Sequence, residues 1–347
     1  MGLTFGDGGY MTIEIINDNS VWDSFVDESP DRVIFHTWKF LKIVERYSGY
    51  TLLPFGIFEK KKNKLICLFP LFYRKRMGMK FLFSQPPMSG IPFIGMLMNA
   101  EYYQLTQHQK ENYLNTVVTD INSEIETLAP HYVSISLGRF VQDIRPFQWN
   151  GFDIGVEYTF DIDLNPPLDI IWNLFSAECR REIRSAERYN PTVKETNNPH
   201  DVEQFYAIME NRYQEQLLKF PLFGPDYLKE VLAAFPGVVK LYTLYNSQVV
   251  INMSLNFEYN NRHIWWMGGV NLDRSIHSNE FLMWEFIKQA KVKGYDTFEL
   301  GGADVQRLSR FKSKFNPRLK RHFYVYKKTM VGKFAEWTYI NLLKKKG

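Results

Sequence analysis

Apolar residues along this chain keep two rhythms that alternate. Over 20–27, 37–47, 107–128, 168–189, 199–218, 225–235, 279–293 and 333–344 they recur every three or four positions, which predicts helices with one buried stripe. Elsewhere the apolar runs are short and rich in β-branched and aromatic residues. TLLPFGIFE and KLICLFPLFYRK flank the lysine turn KKKN, while KLYTLY, VVINMSLNFEY and RHIWWMGGV are separated by NSQ and NN. These runs predict an antiparallel hairpin or meander in each half.

The order of elements occurs twice. Two helices precede each meander; after it, helix 107–128 leads into HYVSISLG, and helix 279–293 leads into DTFELGG. A unit of this kind repeated at a spacing of about 160 residues argues for duplicated α/β domains rather than a short-period solenoid. The junction is expected at 150–165, around FDIDLNPP, and residues 1–10, which carry no periodicity, as a flexible extension.

Composition adds a local feature. The 347 residues, 45% apolar, are enough for two cores, and the net charge of +4 is modest. Against that balance, Arg307 to Lys328 holds nine Lys or Arg and no Asp or Glu, so an anionic partner is expected there. Cys67 and Cys179 form no CxxC pair and no disulfide framework, which suits a reducing cytoplasm. The best apolar window, 89–100, is too short to span a bilayer, and the His residues have no metal-binding spacing, so a soluble or peripheral protein without a metal is expected.

Taken in order, IWNLFSAECRREIRSAERYN, RHIWWMGG, NEFLMWEFIKQAKVKGY, FELGG and RFKSKF resemble the second domain of FemABX-type peptidyltransferases. HTWKFLKIVERYSGY is similar to the early Trp-containing helix of that family, so the resemblance runs from about residue 30 to 326. It implies an α/β (α+β) fold of two tandem GNAT-like domains, the acyl-CoA N-acyltransferase fold, with mixed and mainly antiparallel sheets. Only LKFPLFG separates helices 199–218 and 225–235, which matches the compact, armless members. The segment FAEWTYINLL would return to the first domain, giving 11–157 plus 327–347 as one domain and 158–326 as the other.

The activity implied is transfer of an amino acid from aminoacyl-tRNA to an amine of a peptidoglycan-type precursor, nucleotide-sugar or lipid-linked. No bound cofactor is implied, and a monomer in the cytoplasm, at or near the inner face of the membrane, is expected.

The resemblance also marks residues. Lys312 of FKSKF stands where the family's F-K-x-x-F lysine lies at the acyl-transfer point, and a cation there can stabilise a developing oxyanion. The plainer reading makes Phe311 and Phe315 core anchors and Lys312 a solvated neighbour. Lys42 follows Trp38 by one helical turn, with Lys39 and Arg46 nearby, and the corresponding helix of the family contacts the acceptor diphosphate. Lys219 falls near another acceptor-phosphate residue, with Arg212 as its competitor. Trp265 and Trp266 adjoin the strand where GNAT-like folds seat their donor, and one must point to each face.

Gly301 and Gly302 let backbone approach a substrate, and of the carboxylates flanking them, Glu299 and Asp304, the second is the preferred general base. Arg180, Arg184 and Arg188 form a stripe at i, i+4 and i+8; with Arg307, Arg310 and Lys314 they are candidates for tRNA phosphates, although Glu178 and Glu182 equally allow a salt-bridged surface. Cys179, on the apolar face of its helix, reads as buried and inert.

Two other functions compete. One is an acyl-CoA-dependent N-acyltransferase of the cellulose-associated type, although the loops VNLDRSIHSNE and MNAEYYQLTQH lack the glycines that cradle a pyrophosphate. The other is a non-catalytic RNA-binding protein that uses the basic segment and its aromatics.

Overall fold

Helix Gln107–Leu128 shows how the sequence rhythm becomes packing. Leu114, Val117, Val118, Ile121 and Ile125 are buried at three- and four-residue intervals, each worth about 1.5–3 kcal/mol of transfer from water. Thr106 and Gln109 close its first turn by bonding to each other's backbone N–H. The computed structural model describes residues 11–138 and 141–338; the extension expected at 1–10 and the end of the helix expected over 333–344 lie outside the described residues. Contacts divide the described residues into two units, one made of 11–87, 93–156 and 322–338, the other of 88–92 and 157–321.

In the first unit the strands lie in the order Met11–Ile15, Thr51–Glu59, Lys64–Arg76, Met79–Phe83, Tyr132–Ser136 and Arg318–Lys328. Neighbours are antiparallel except Met79–Phe83 and Tyr132–Ser136, which run parallel from Phe81↔Tyr132 to Phe83↔Ser134. The apolar face of helix 107–128 joins Phe69, Leu71, Leu82, Val133, Ile135 and Val325 in one core.

The second unit repeats this order with Thr192–Thr196, Val239–Asn246, Val249–Tyr259, Arg262–Gly268, Thr297–Gly302 and Asp153–Asp163. Its one parallel pair is again the fourth and fifth strands, registered from Arg262↔Thr297 to Ile264↔Glu299. Helices Ala177–Glu187 and Ser278–Val292 supply Cys179, Ile183, Leu282, Phe286 and Ile287 to its core, where Phe298 and Leu300 also lie. Cys179 is fully buried, and burial pushes its thiol pKa up to about 12.

The last strand in each of these two orders comes from the far side of the repeat. Asp153–Asp163 follows Tyr132–Ser136 in the chain, yet its residues 159–163 pair with Gly302–Thr297. Arg318–Lys328 follows the second repeat, yet Tyr324–Lys328 pair with Ser136–Tyr132. The boundary between the units, 156/157, falls inside the segment expected as the junction, and the chain crosses it within a strand.

A correction concerns the helix expected over 168–189, which is two helices, Leu168–Leu174 and Ala177–Glu187. Phe175 turns into the core, and Ser176 Oγ accepts from Cys179 N at 3.1 Å, starting a new helix where apolar spacing alone would continue the old one. No helix among the described residues is long and apolar enough to cross a membrane.

Candidate active site

The site grows from the end of strand Thr297–Gly302. Its pairing with Asp153–Asp163 shifts register between Glu299 and Gly301, and Gly301 takes a φ of +72°. A Cβ on Gly301 would lie 3.5 Å from Trp265 O and 3.9 Å from Lys312 Nζ, in a conformation that L-residues rarely adopt. Beyond the corner, Ala303 N donates to Tyr158 O at 2.7 Å, and the Asp304 carboxylate accepts from Tyr158 N at 3.1 and 3.3 Å. These bonds fasten the chain before helix Gln306–Ser313 begins.

That helix folds Lys312 back onto the corner. Phe315 is buried edge-on against Phe175 at 5.2 Å and Phe311 at 5.8 Å, and Phe311 also packs against the core. With both rings held, the half-buried Lys312 donates from Nζ to Gly302 O at 2.6 Å. Burial strips water from the ammonium and lowers its pKa to about 8, while the negative charge of Asp304 works the other way. Lys312 is thus largely a cation at neutral pH, placed where the parallel strands Arg262–Gly268 and Thr297–Gly302 leave register. Asp304 is exposed and Glu299 is buried, the latter accepting from Thr159 Oγ1 at 3.1 Å. Of the two carboxylates, Asp304 is thus the one open to solvent at the corner.

The paired tryptophans divide as strand geometry requires. Trp265 lies in the core, while Trp266 packs against Phe257 with centroids 4.2 Å apart and the rings tilted by 32°, and donates from Nε1 to Gly90 O at 2.6 Å. A register shift in the pairing with Val249–Tyr259 passes over Trp266.

The other cations assigned to phosphate separate into different roles. Arg180 donates to the carbonyls of Asn173 at 2.9 Å and Phe175 at 2.5 Å, capping the preceding helix. Arg184 lies over the Trp172 ring at 5.5 Å, and Arg188 is exposed at the end of its helix. The stripe thus has an arginine occupied at one end and one open to solvent at the other.

Lys314 lies between Glu182, at 2.7 Å, and Glu280, at 3.2 Å. Burial works against its charge, yet the hydrogen bond to Glu182 and the two carboxylate charges hold its pKa above the ordinary lysine value. The acid-free segment also finds acids elsewhere in the fold, Asp163 for Arg318 at 2.9 Å and Glu126 for Lys327 at 3.5 Å. Arg307 and Arg310 stay exposed, and Arg307 donates to Gln216 Oε1 at 3.3 Å. That bond brings it to the end of the helix carrying Arg212, whose carbonyl accepts from Gln216 Nε2 at 2.9 Å. Lys219 is exposed a short way beyond.

In the first unit, Lys42 lies over the Trp38 ring at 5.9 Å and pairs with Glu45, so Trp38 and Lys42 share a helix face.

Glu280 and Tyr158, which sequence reasoning did not select, shape the site together with Glu182, whose salt-bridging was foreseen but not its partner Lys314. Glu280 lies in the first turn of helix Ser278–Val292, a position where an acid complements the helix N-terminus and is readable from sequence. Nothing local pointed to Lys314 as its partner. His277 precedes that helix without a side-chain cap, and Glu182, His277 and Glu280 crowd their donor atoms within 4.8 Å of one another. The Lys314 ammonium supplies a cation to the two carboxylates of this cluster.

Residues 175–313 match the family described as Acetyltransferase (GNAT) domain, a stretch that contains most of the elements just described. No curated protein matches the sequence. The fold is of the GNAT-like class, and residues 175–313 are similar to an acetyltransferase domain of that class. The arrangement is the FemABX-type GNAT-like fold. The crystal structure of FemX superposes with a TM-score of 0.67 at 12% identity, covering 90% of this chain and 96% of that one. L-PGS from Bacillus licheniformis gives 0.56 at 12% identity, with 92% and 96% covered. A tandem GNAT protein from the clavulanic acid biosynthesis pathway gives 0.55 at 8% identity, with 91% and 98% covered.

Proposed function

We propose that this protein transfers an amino acid from aminoacyl-tRNA to an amine of a cell-envelope precursor of the peptidoglycan type, working in the cytoplasm without a bound cofactor. The observation that carries the reading is the Lys312 ammonium, held 2.6 Å from Gly302 O and desolvated at the point where the strands diverge. The acceptor amine attacks the aminoacyl ester carbonyl, and the developing oxyanion is stabilised by Lys312. As the C–O bond breaks, the terminal ribose hydroxyl of the tRNA leaves with a proton. The proton lost by the amine passes to Asp304 or to water, since that carboxylate is exposed beside the corner.

The choice of donor is supported by charge at the N-terminus of helix Ser278–Val292. CoA-dependent GNAT domains hold the donor pyrophosphate between a strand and the following helix. Here the first turn carries Glu280, with Glu182 also bound to Lys314, and the preceding loop spends its polar groups on itself: Asn271 Nδ2 donates to Ile276 O at 2.8 Å, and Asp273 accepts from Ser275 N at 2.9 Å. With Lys314 counted, the two carboxylates still leave one net negative charge there, which disfavours a pyrophosphate. Lys42 with Trp38, and Lys219 with Arg212, are assigned to acceptor phosphates; Arg188, Arg307 and Arg310 to the tRNA backbone.

A second reading, acyl-CoA-dependent N-acyltransfer, is favoured by one observation, the match of residues 175–313 to an acetyltransferase domain. Single-turnover assays separate the two. Aminoacyl-tRNA should support transfer to a peptidoglycan-precursor amine, with affinity that falls steeply as salt rises. Saturable acetyl-CoA turnover indifferent to tRNA would establish the second reading instead. RNA binding without transfer to any amine would remove both.

A further inference from the structure

The turn that follows helix Pro199–Glu215 breaks two local rules in one residue. Leu217 occupies the position just past the helix end with a φ of +56°, where glycine or asparagine is ordinarily found, and it is 80% exposed. Leu218 beside it is 46% exposed. A leucine in left-handed backbone and in water is unfavourable on both counts, and such conflicts concentrate at functional surfaces.

The turn is not a loose end. Leu217 N donates to Gln214 O and Leu218 N to Tyr213 O, each at 2.9 Å. Immediately after it, Phe220 is buried between Tyr206 and Tyr213, with both ring centroids at 5.2 Å. The leucines are therefore held out by a fixed base.

Cations surround this tip. Lys219 follows it directly, Arg212 lies one turn before it, and the Arg307 guanidinium reaches Gln216 at 3.3 Å, which brings the exposed Arg310 and the 56%-exposed Val305 of the same segment to this side. Glu215 and Asp304 are the carboxylates of the two segments. An apolar tip inside a basic collar complements an interface that is apolar below and anionic above.

We infer that the Leu217–Lys219 turn docks on the surface of an anionic lipid bilayer, Leu217 and Leu218 entering the headgroup–acyl boundary while Lys219, Arg307 and Arg310 meet lipid phosphates. The inference takes Lys219, Arg307 and Arg310 for lipid phosphates in place of the acceptor and tRNA phosphates assigned to them above, and it leaves the role of Lys312 unchanged. It places the Lys312 corner, joined to the tip through Arg307 on the same helix, beside the bilayer.

Vesicle co-sedimentation of the full chain tests it. Vesicles of equal phosphatidylglycerol and phosphatidylcholine should bind at least about tenfold more tightly than phosphatidylcholine alone, since each cation near an anionic surface is worth about fivefold. High salt should erase that preference. Leu217→Ser with Leu218→Ser should weaken binding to the mixed vesicles at least about tenfold. Leu217→Gly, which the backbone accepts without strain, should weaken it with a melting temperature equal to or above that of the parent chain. Equal vesicle binding by parent and Leu217→Gly, no lipid preference in the parent, or leucine-dependent retention of single-stranded RNA in place of vesicles would each overturn the inference.

Discussion

Lys312 Nζ donates to Gly302 O across 2.6 Å, so the lysine closes the corner from which its own helix departs. With one N–H direction taken by that carbonyl and the chain pinned by Phe311 and Phe315, the ammonium has little freedom to reorganise. Lys312→Ala should reduce single-turnover transfer by roughly 10² to 10³, the usual loss for one oxyanion-stabilising donor. A smaller loss, equal to that of Arg310→Ala, would reduce Lys312 to a surface charge.

The depressed pKa of Lys312 gives two pH signatures. As a cation it should support transfer below about 8, and the rate should fall as pH rises through that value. A rate that climbs through the same region would make neutral Lys312 a base instead. In stability the sign is reversed. The unfolded lysine holds its proton up to its ordinary value of 10.5, so between about 8 and 10.5 the unfolded chain binds more protons than the native one, and stability rises with pH. Lys312→Met should therefore raise the melting temperature at pH 7, and the gain should shrink across that window.

Gly301→Ala separates corner geometry from charge. A methyl group at a φ of +72° and 3.9 Å from Lys312 Nζ strains the backbone by about 1–2 kcal/mol. Transfer should fall much further than that modest loss of stability explains, because relaxing the strained φ shifts the Gly302 carbonyl that holds the ammonium. Comparing transfer rates with melting curves for this variant and Gly302→Ala provides the check, since a Cβ on Gly302 meets nothing within 4 Å.

Lys314→Ala should act on stability. It leaves Glu182 and Glu280 facing each other without their cation, a loss of about 3 kcal/mol for a largely buried pair. Adding Glu280→Gln should recover part of it. Chemical denaturation of the single and double variants measures the coupling, and additive effects would show that the bridge is only incidental.

Glu258 governs the acid limb. Burial opposes its ionisation, yet the bond from Lys293 at 2.7 Å, the proximity of His263 and the bond from Lys240 at 3.1 Å together hold its pKa at about 2. A carboxylate lowered from 4.5 adds stability that is present above 4.5 and lost as pH falls towards 2. Acid titration followed by circular dichroism should show that loss in the parent chain and a flatter limb in Glu258→Gln.

The sequence by itself determined what depends on near neighbours. The helix Gln107–Leu128 was set residue for residue because it buries one face and its N-terminal cap lies within four positions, and the strands Thr51–Glu59 and Val249–Tyr259 because they are short apolar runs bounded by turn residues. The spacing of Phe311 and Phe315 likewise placed Lys312 on a pinned turn, and adjacency alone sent Trp265 and Trp266 to opposite faces. Tertiary structure decided every question of partner. RLKRHFYVYKK reads as a charge run, yet Phe323 and Val325 alternate into the core of the first unit, and pairing with strands distant in the chain, Tyr132–Ser136 among them, makes it a strand there. Arg180 and Lys314 look as available as Arg188 or Arg310 in a one-dimensional list of charges. The carbonyls of Asn173 and Phe175, and the carboxylates of Glu182 and Glu280, claim the first two because folding closes distances that spacing along the chain does not encode.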